Sequence, residues 1–222
     1  MDGAKGSGAN AQEYDFNTWF KTIQNYEGKE VAGNSADCML FGAQAYTTVR
    51  WIGNEDGVAF EDTWAKSNVN YKNNTIDSNG STPYSKGYET GNKWTVPECD
   101  GRITSGWFWG TKTNTPKTIT QLANMYFDSV GHNATMLLNV PPNNQGTVDK
   151  PILDRVTEFG QNVEETFRKN LAKNATIEAS NVRGNDIAFK PGNVVDDKDE
   201  TYWTTEDGTK EGSLTIKWDK AK

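Results

Sequence analysis

Apolar residues in this chain change period several times, and that switching limits the folds open to it. Phe16, Trp19, Phe20 and Ile23 fall at i, i+3, i+4 and i+7, and Ile119, Leu122, Tyr126 and Val130 form a second stripe of helical spacing. Each is the buried face of an amphipathic helix. Short apolar runs at Cys38–Phe41, Val49–Gly53 and Thr135–Val140 read as strands, the last stopped by Pro141 and Pro142. Asp149 followed by Pro151 predicts a helix start, with Ile152, Val156 and Phe159 on its buried side. Strands alternating with amphipathic helices predict a parallel α/β architecture. The units are too few for a closed eight-stranded barrel, which takes about 250 residues.

Two stretches break the pattern. Asn54 to Lys93 is long, polar and rich in Asn, Gly and Ser, which reads as a loop: a functional lid or a disordered insertion. From near Lys169 the texture changes again. Ala175 to Trp218 shows short strands and turn residues, and Leu214, Ile216 and Trp218 alternate with polar neighbours as in a half-buried strand. That stretch reads as the opening of an all-β domain.

Composition narrows the function classes. Aromatic residues reach 11% with 8 Trp while apolar residues total 34%, a balance that excludes a disordered chain. A net charge of −7, with no Lys/Arg cluster, lacks the footprint of a nucleic-acid binder. No apolar run is long enough to span a membrane, and no export signal is visible. Cys38 and Cys99 are too few for a disulfide framework and read as free or buried thiols. A single His132 leaves little for a His-based metal site or a catalytic triad. Asn-x-Ser/Thr sites begin at Asn73, Asn79, Asn133 and Asn174, as expected by chance in an Asn-rich chain.

The carboxylates at strand ends are the candidates for chemistry. Asp2, Glu55 and Glu98 each fall just past or near the end of an expected strand, with Trp and Tyr close by. Parallel barrels place their active sites at such ends. Retaining glycoside hydrolysis needs a carboxylate nucleophile and a carboxylic acid/base about 5–5.5 Å apart. With 30 acidic residues in the chain, spacing alone does not choose among them.

The motifs make the choice. Met1-Asp2-Gly3-Ala4-Lys5-Gly6 with Tyr14-Asp15-Phe16 and Trp19, then Arg50-Trp51-Ile52-Gly53-Asn54-Glu55-Asp56-Gly57, then Trp94, Pro97-Glu98 and Gly106-Trp107-Phe108-Trp109, and finally Ser129 to Asn143, occur in an order that resembles family 29 glycoside hydrolases, the α-L-fucosidases. The second block is similar to the subfamily selective for α-1,3/1,4-linked fucose. From Asn174, Ala175 to Gly184, Pro191 to Asp197 and Asp199 to Trp203 resemble discoidin-type sandwiches of the family 32 carbohydrate-binding kind.

The resemblance implies an α/β fold: the C-terminal part of a (β/α)8-type barrel over residues 1–168, then the start of a truncated discoidin-like β-sandwich over 169–222. It implies a retaining fucosidase with Asp2 as nucleophile and Glu55 as acid/base. Trp51, Trp107 and Glu98 become substrate-binding residues, with Glu98 also in reserve as acid/base. The plainer reading of Glu98 is a salt bridge to Arg102 or Lys93. The acidic turn at Asp196, Asp197 and Asp199 is expected to be bare rather than a Ca²⁺ site. No metal and no cofactor are implied. The partners are fucosylated oligosaccharides or glycoconjugates, met in an extracellular, periplasmic or cell-surface setting of a bacterium. The barrel strands before Asp2 are not in the chain, so it is expected to be weakly active or inactive alone. The alternative from another class is a non-catalytic carbohydrate-binding protein.

Overall fold

The computed structural model describes residues 14–24, 39–42, 44–81, 84–110 and 115–220. They fall into two compact units, Met1–Gly160 and Gln161–Lys222. In chain order the first unit holds α1 (Phe16–Gln24), β1 (Val49–Trp51), β2 (Lys66–Asn70), β3 (Thr75–Asp77), β4 (Gly80–Ser81), β5 (Tyr84–Ser85), β6 (Lys93–Trp94), β7 (Val96–Arg102), α2 (Ile119–Ser129), β8 (Thr135–Asn139) and the start of α3 (Lys150–Phe167). The result is a mixed α/β chain.

The expected parallel sheet is present as β1-β7-β8, with both pairings parallel. Trp51 lies level with Glu98, and Glu98 with Thr135. The run expected as a strand before β1 contributes one parallel bridge, Phe41 to Val49. There only Leu40 is buried, while Met39 and Phe41 are exposed, and Cys38 lies outside the described residues.

The second helical stripe becomes α2 because its ends are satisfied as well as its face. The Thr118 hydroxyl accepts from the Gln121 amide and the Gln121 side chain answers on the Thr118 amide, a reciprocal cap. Leu122 and Met125 then pack with Ile103 and with Ile152 of α3, joined by Met136, Leu138 and Val156. Gly57 and Gly101 let the backbone come close under this helix: a Cβ on either would stand within 2.6 Å of the Met125 methyl. Ile52, Cys99, Ala59 and Ala134 continue the apolar layer. Side chains alternate across a strand, so Trp51, Glu98, Asp100, Arg102 and Asn139 belong to the opposite face. Its functional groups therefore share one side of the sheet.

Asn54 to Lys93 is not the structureless loop its composition suggested. It carries β2 to β5 and the start of β6, as an antiparallel sheet in the order β3-β2-β6 and a separate β4-β5 pair. Asn74 and Asn79 take left-handed backbone conformations at its turns, which Asn tolerates.

The second unit pairs β9 (Thr176–Ala179) with β10 (Leu214–Lys217), antiparallel. Leu214 is half-buried there, while Ile216 and Trp218 are exposed. Between the strands run 3-10 turns tied by a buried Asn193, whose amide donates to the Ala188 and Tyr202 carbonyls. In the acidic turn, Asp197 pairs with Lys173 at 2.7 Å and Asp196 accepts from the Thr201 hydroxyl. Among the described residues, no group of three or more His, Cys, Asp or Glu is placed to hold a metal ion.

Candidate active site

Glu55 and Trp107, 52 positions apart in sequence, meet at the C-terminal ends of the parallel strands. The Trp107 indole N–H donates to the Glu55 carboxylate at 2.8 Å. Trp107 is itself fixed from two strands. The Asn139 side-chain amide at the end of β8 donates to its carbonyl at 2.9 Å, and the Arg102 guanidinium at the end of β7 lies 5.4 Å from the indole ring centre. Two residues further on, Trp109 donates to Asp149 at 2.8 Å, which pins the same loop at the start of α3. Hydrogen bonds from Asn143 and Trp109 hold Asp149 below the usual carboxylate range. Glu55 thus stands accessible on a loop, yet is oriented by a ring that cannot easily turn.

Trp51 forms the neighbouring wall. Its indole N–H donates to the Asp100 carboxylate at 2.6 Å and to the Asn54 carbonyl at 3.1 Å, while 45% of the residue stays exposed. The bond to Asn54 couples the ring to the residue just before Glu55. Below it, Glu98 is only 4% exposed, and among the described residues neither of its carboxyl oxygens has a hydrogen-bond partner. Burial, helped by nearby Asp100, pushes its pKa up to about 7. The expected salt bridge does not form. Lys93 turns away to donate to the Ala45 carbonyl at 2.9 Å, and Arg102 is engaged with the Trp107 ring. A carboxyl with no cation beside it is easier to keep neutral than charged.

Arg50 ties the polar insertion to the sheet. It is 4% exposed, and its guanidinium donates to the Thr95 carbonyl at 2.7 Å, the Ser85 carbonyl at 2.9 Å, the Trp64 carbonyl at 3.0 Å and the Ser85 hydroxyl at 3.1 Å. Burial lowers its pKa to about 10, so it remains charged at neutral pH. Gly87 must be glycine for this arrangement: its φ is +74°, and a Cβ there would stand 2.3 Å from the Trp64 carbonyl and 2.9 Å from the Arg50 side chain.

Of the residues singled out from sequence, Glu55, Trp107, Trp51 and Glu98 are all on or just beyond β1 and β7, and Glu55 touches Trp107 directly. Asp2 lies outside the described residues. His132 does follow α2, in a 3-10 turn, with Nδ1 2.9 Å from the Ala59 carbonyl. Asp100, Asn139 and Arg50 received no role from the sequence. Glu98, Asp100 and Arg102 at every second position on one strand was the available signal, since such residues share a face.

Accessible carboxylates beside aromatic rings at the C-terminal ends of parallel strands are the equipment of sugar-processing enzymes. The α-L-fucosidase family model matches residues 10–166, and the chain belongs to that family. It is 35% identical over 219 residues to α-L-fucosidase 1 of Arabidopsis thaliana, covering 98% of this chain and 41% of that protein. A Ruminococcus gnavus GH29 fucosidase solved in complex with fucose is 66% identical with a TM-score of 0.85, over 97% of this chain and 43% of that one. A putative α-L-fucosidase from Bacteroides thetaiotaomicron is 25% identical with a TM-score of 0.74, over 92% and 43%. The chain therefore spans about two-fifths of the length of these relatives.

Proposed function

We propose that this chain carries the catalytic carboxylates of a retaining α-L-fucosidase that removes α-1,3/1,4-linked fucose from branched glycans. On this reading Asp2 attacks the anomeric carbon, and Glu55 protonates the leaving oxygen and then activates water. Trp107 packs on the apolar face of fucose and Trp51 lines the same mouth, while Glu98, buried below Trp51, is held in reserve as acid/base. Residues 1–168 are the later part of a (β/α)8-type barrel and 169–222 the start of a discoidin-like sandwich. The protein meets its fucosylated glycans outside the cytoplasm. The 222-residue chain alone has little or no activity, since the functional face of its sheet is open, with Trp51 45% and Leu137 56% exposed.

The observation that carries the reading is the Trp107–Glu55 hydrogen bond. It orients an accessible carboxylate at the strand ends where barrel chemistry occurs. A purely sugar-binding role has no comparable support, because binding a sugar needs no carboxylate fixed in this way.

The test is a chimera placing this chain behind the first half of the R. gnavus fucosidase. Asp2→Ala and Glu55→Ala should each nearly abolish hydrolysis, by different routes. Azide should rescue the nucleophile variant with inversion. The acid/base variant should keep activity on substrates with good leaving groups and give a retained azide product. Trp107→Phe, which keeps the ring but loses the donor, should lower kcat about tenfold. If Glu98→Ala shows the acid/base pattern and Glu55→Ala does not, the assignment is wrong.

A further inference from the structure

Glu55 is restrained through its neighbours as well as through its own side chain. Besides the Trp107 bond to its carboxylate, the residues on either side of it are tied down. The Asn54 carbonyl accepts from the Trp51 indole at 3.1 Å, and the Asp56 amide donates to the Asn54 side chain at 2.9 Å. Asn54 is itself buried, and its side-chain amide donates to the Val58 carbonyl at 3.0 Å. Whatever fixes Trp51 therefore fixes this turn. The Trp51 side chain is exposed, so packing holds its ring only in part. The shorter of its two bonds, 2.6 Å to Asp100 Oδ1, comes from β7, the central strand of the sheet. The register allows it: Trp51 lies level with Glu98, and Asp100 is the next residue on that face of β7. Arg102, two positions further, lies against the Trp107 ring. One strand thus steers both indoles, Asp100 the one on the backbone before Glu55 and Arg102 the one on its carboxylate.

We propose that Asp100 is a positioning residue of the reaction: through the Trp51 indole it sets the turn at 54–56, and so the aim of the Glu55 carboxyl at the leaving oxygen. The inference rests on the fucosidase reading and deepens it. A general acid must come within about 2.6–3.2 Å of the atom it protonates. A misplacement of about 1 Å can cost on the order of 10²-fold in rate. Glu55 stands on a loop beyond β1, so the sheet's own ladder does not set its aim. The Asp100–Trp51–Asn54 chain joins that loop to the ladder. A carboxylate acceptor suits the task, because charge-assisted hydrogen bonds are roughly twice as strong as neutral ones. The position also carries a cost. Asp100 shares its face with buried Glu98 and helps to raise the pKa of that carboxyl. An apolar residue would remove the repulsion, and the indole bond is the contact that offsets it.

The test uses the chimera and two substrates whose first step differs in its need for an acid. Phenyl α-L-fucoside has a basic leaving oxygen, whereas α-L-fucosyl fluoride has none. The quantity compared is kcat/KM, which excludes the later hydrolysis of the fucosyl-enzyme. Asp100→Leu keeps the volume and loses the acceptor. It should lower kcat/KM about tenfold on the phenyl fucoside and less than about threefold on the fluoride. Asp100→Asn keeps an acceptor oxygen and should stay within about threefold on both. Trp51→Phe removes the donor, should reproduce the Asp100→Leu pattern, and guards against a folding defect at position 100. The double variant should lose no more than either single one. Equal losses on both substrates, Asp100→Asn as impaired as Asp100→Leu, or additive losses in the double variant overturn the proposal. A second readout needs no turnover. In NMR spectra of the 222-residue chain, the Trp107 indole proton, bonded to Glu55, should shift in Asp100→Leu and keep its place in Asp100→Asn. An unmoved signal in Asp100→Leu overturns the proposal as well. The fucosidase reading fails separately, if the unsubstituted chimera cleaves neither substrate.

Discussion

The parallel sheet and the Asn54–Lys93 insertion adjoin each other at β1 and β7, yet they are held by opposite means. The sheet is held by apolar packing: Ile52, Ile103, Leu122 and Ile152 are fully buried, and a helix covers one face. The insertion is held by buried polar links. Ser67 bonds Ser78 at 2.8 Å and Thr95 at 2.6 Å, Arg50 gathers three carbonyls, and Lys93 reaches the Ala45 carbonyl. Apolar packing is non-directional and degrades gradually, whereas a buried polar network is sound only when every member is matched. In the insertion the geometry is set by bonds rather than by volume.

The largest effect should come from the centre of the polar network. Arg50→Met removes the donors and strands the Thr95, Ser85 and Trp64 carbonyls, at an expected cost of about 4 kcal/mol in chemical denaturation. Leu122→Ala should cost the sheet about 3–4 kcal/mol. The comparison is sharpened by hydrogen exchange. Arg50→Met should strip protection from β2, β3 and β6 while β7 and β8 keep theirs, and Leu122→Ala should do the converse. If both variants lose protection everywhere together, the two regions are one cooperative unit and the contrast fails.

Glu98 is the place where the sheet breaks its own rule. Lifting its carboxyl from an ordinary 4.5 to about 7 means that it is neutral in both states at low pH. Between those values it ionises in the unfolded chain first, which draws the equilibrium toward unfolding. Above pH 7 the folded state carries the full penalty, about 3 kcal/mol. Glu98→Gln keeps the shape without the charge, so it should raise Tm at pH 8 and leave it nearly unchanged at pH 4. An equal gain at both values would show that ionisation of the carboxyl is not the source of the strain.

The smallest effect tests a single link. Ser67→Ala breaks the Ser78–Ser67–Thr95 chain and should cost about 1 kcal/mol. Urea unfolding would read it. A loss above the Leu122→Ala value would make the hydroxyl chain, rather than Arg50, the main support of the insertion.

The same contrast explains what was legible in the sequence. α1 and α2 were visible because an apolar helix face imposes a period of 3.6, and β8 because a short apolar run is stopped by Pro141 and Pro142. The insertion was not, because hydroxyls and carbonyls that bond across 28 positions, as Ser67 and Thr95 do, leave no period behind. Its Asn and Gly residues were read as looseness when several are turn residues with positive φ. The site was half visible. Motifs singled out Glu55, Trp51, Trp107 and Glu98, but nothing in the chain announced that the Trp107 N–H would reach Glu55 across 52 positions. The Glu98 salt bridge was misjudged for a geometric reason: Arg102 is on the same strand, but the Trp107 ring claims it, and Lys93 is drawn under Tyr71 toward a carbonyl.

Cys99 is fully buried among Ile52, Ala59 and Ala134, and burial with Glu98 and Asp100 nearby pushes its thiol up to about 12. The thiolate is the form that attacks an alkylating reagent, so this sulfur is doubly shielded, by access and by protonation. It can be labelled only when β7 parts from its neighbours and the pKa relaxes. In a Cys38→Ser background the chain therefore contains a built-in clock. The rate of iodoacetamide uptake at Cys99 counts openings of the sheet's central strand, with no probe added and no residue of the proposed site disturbed.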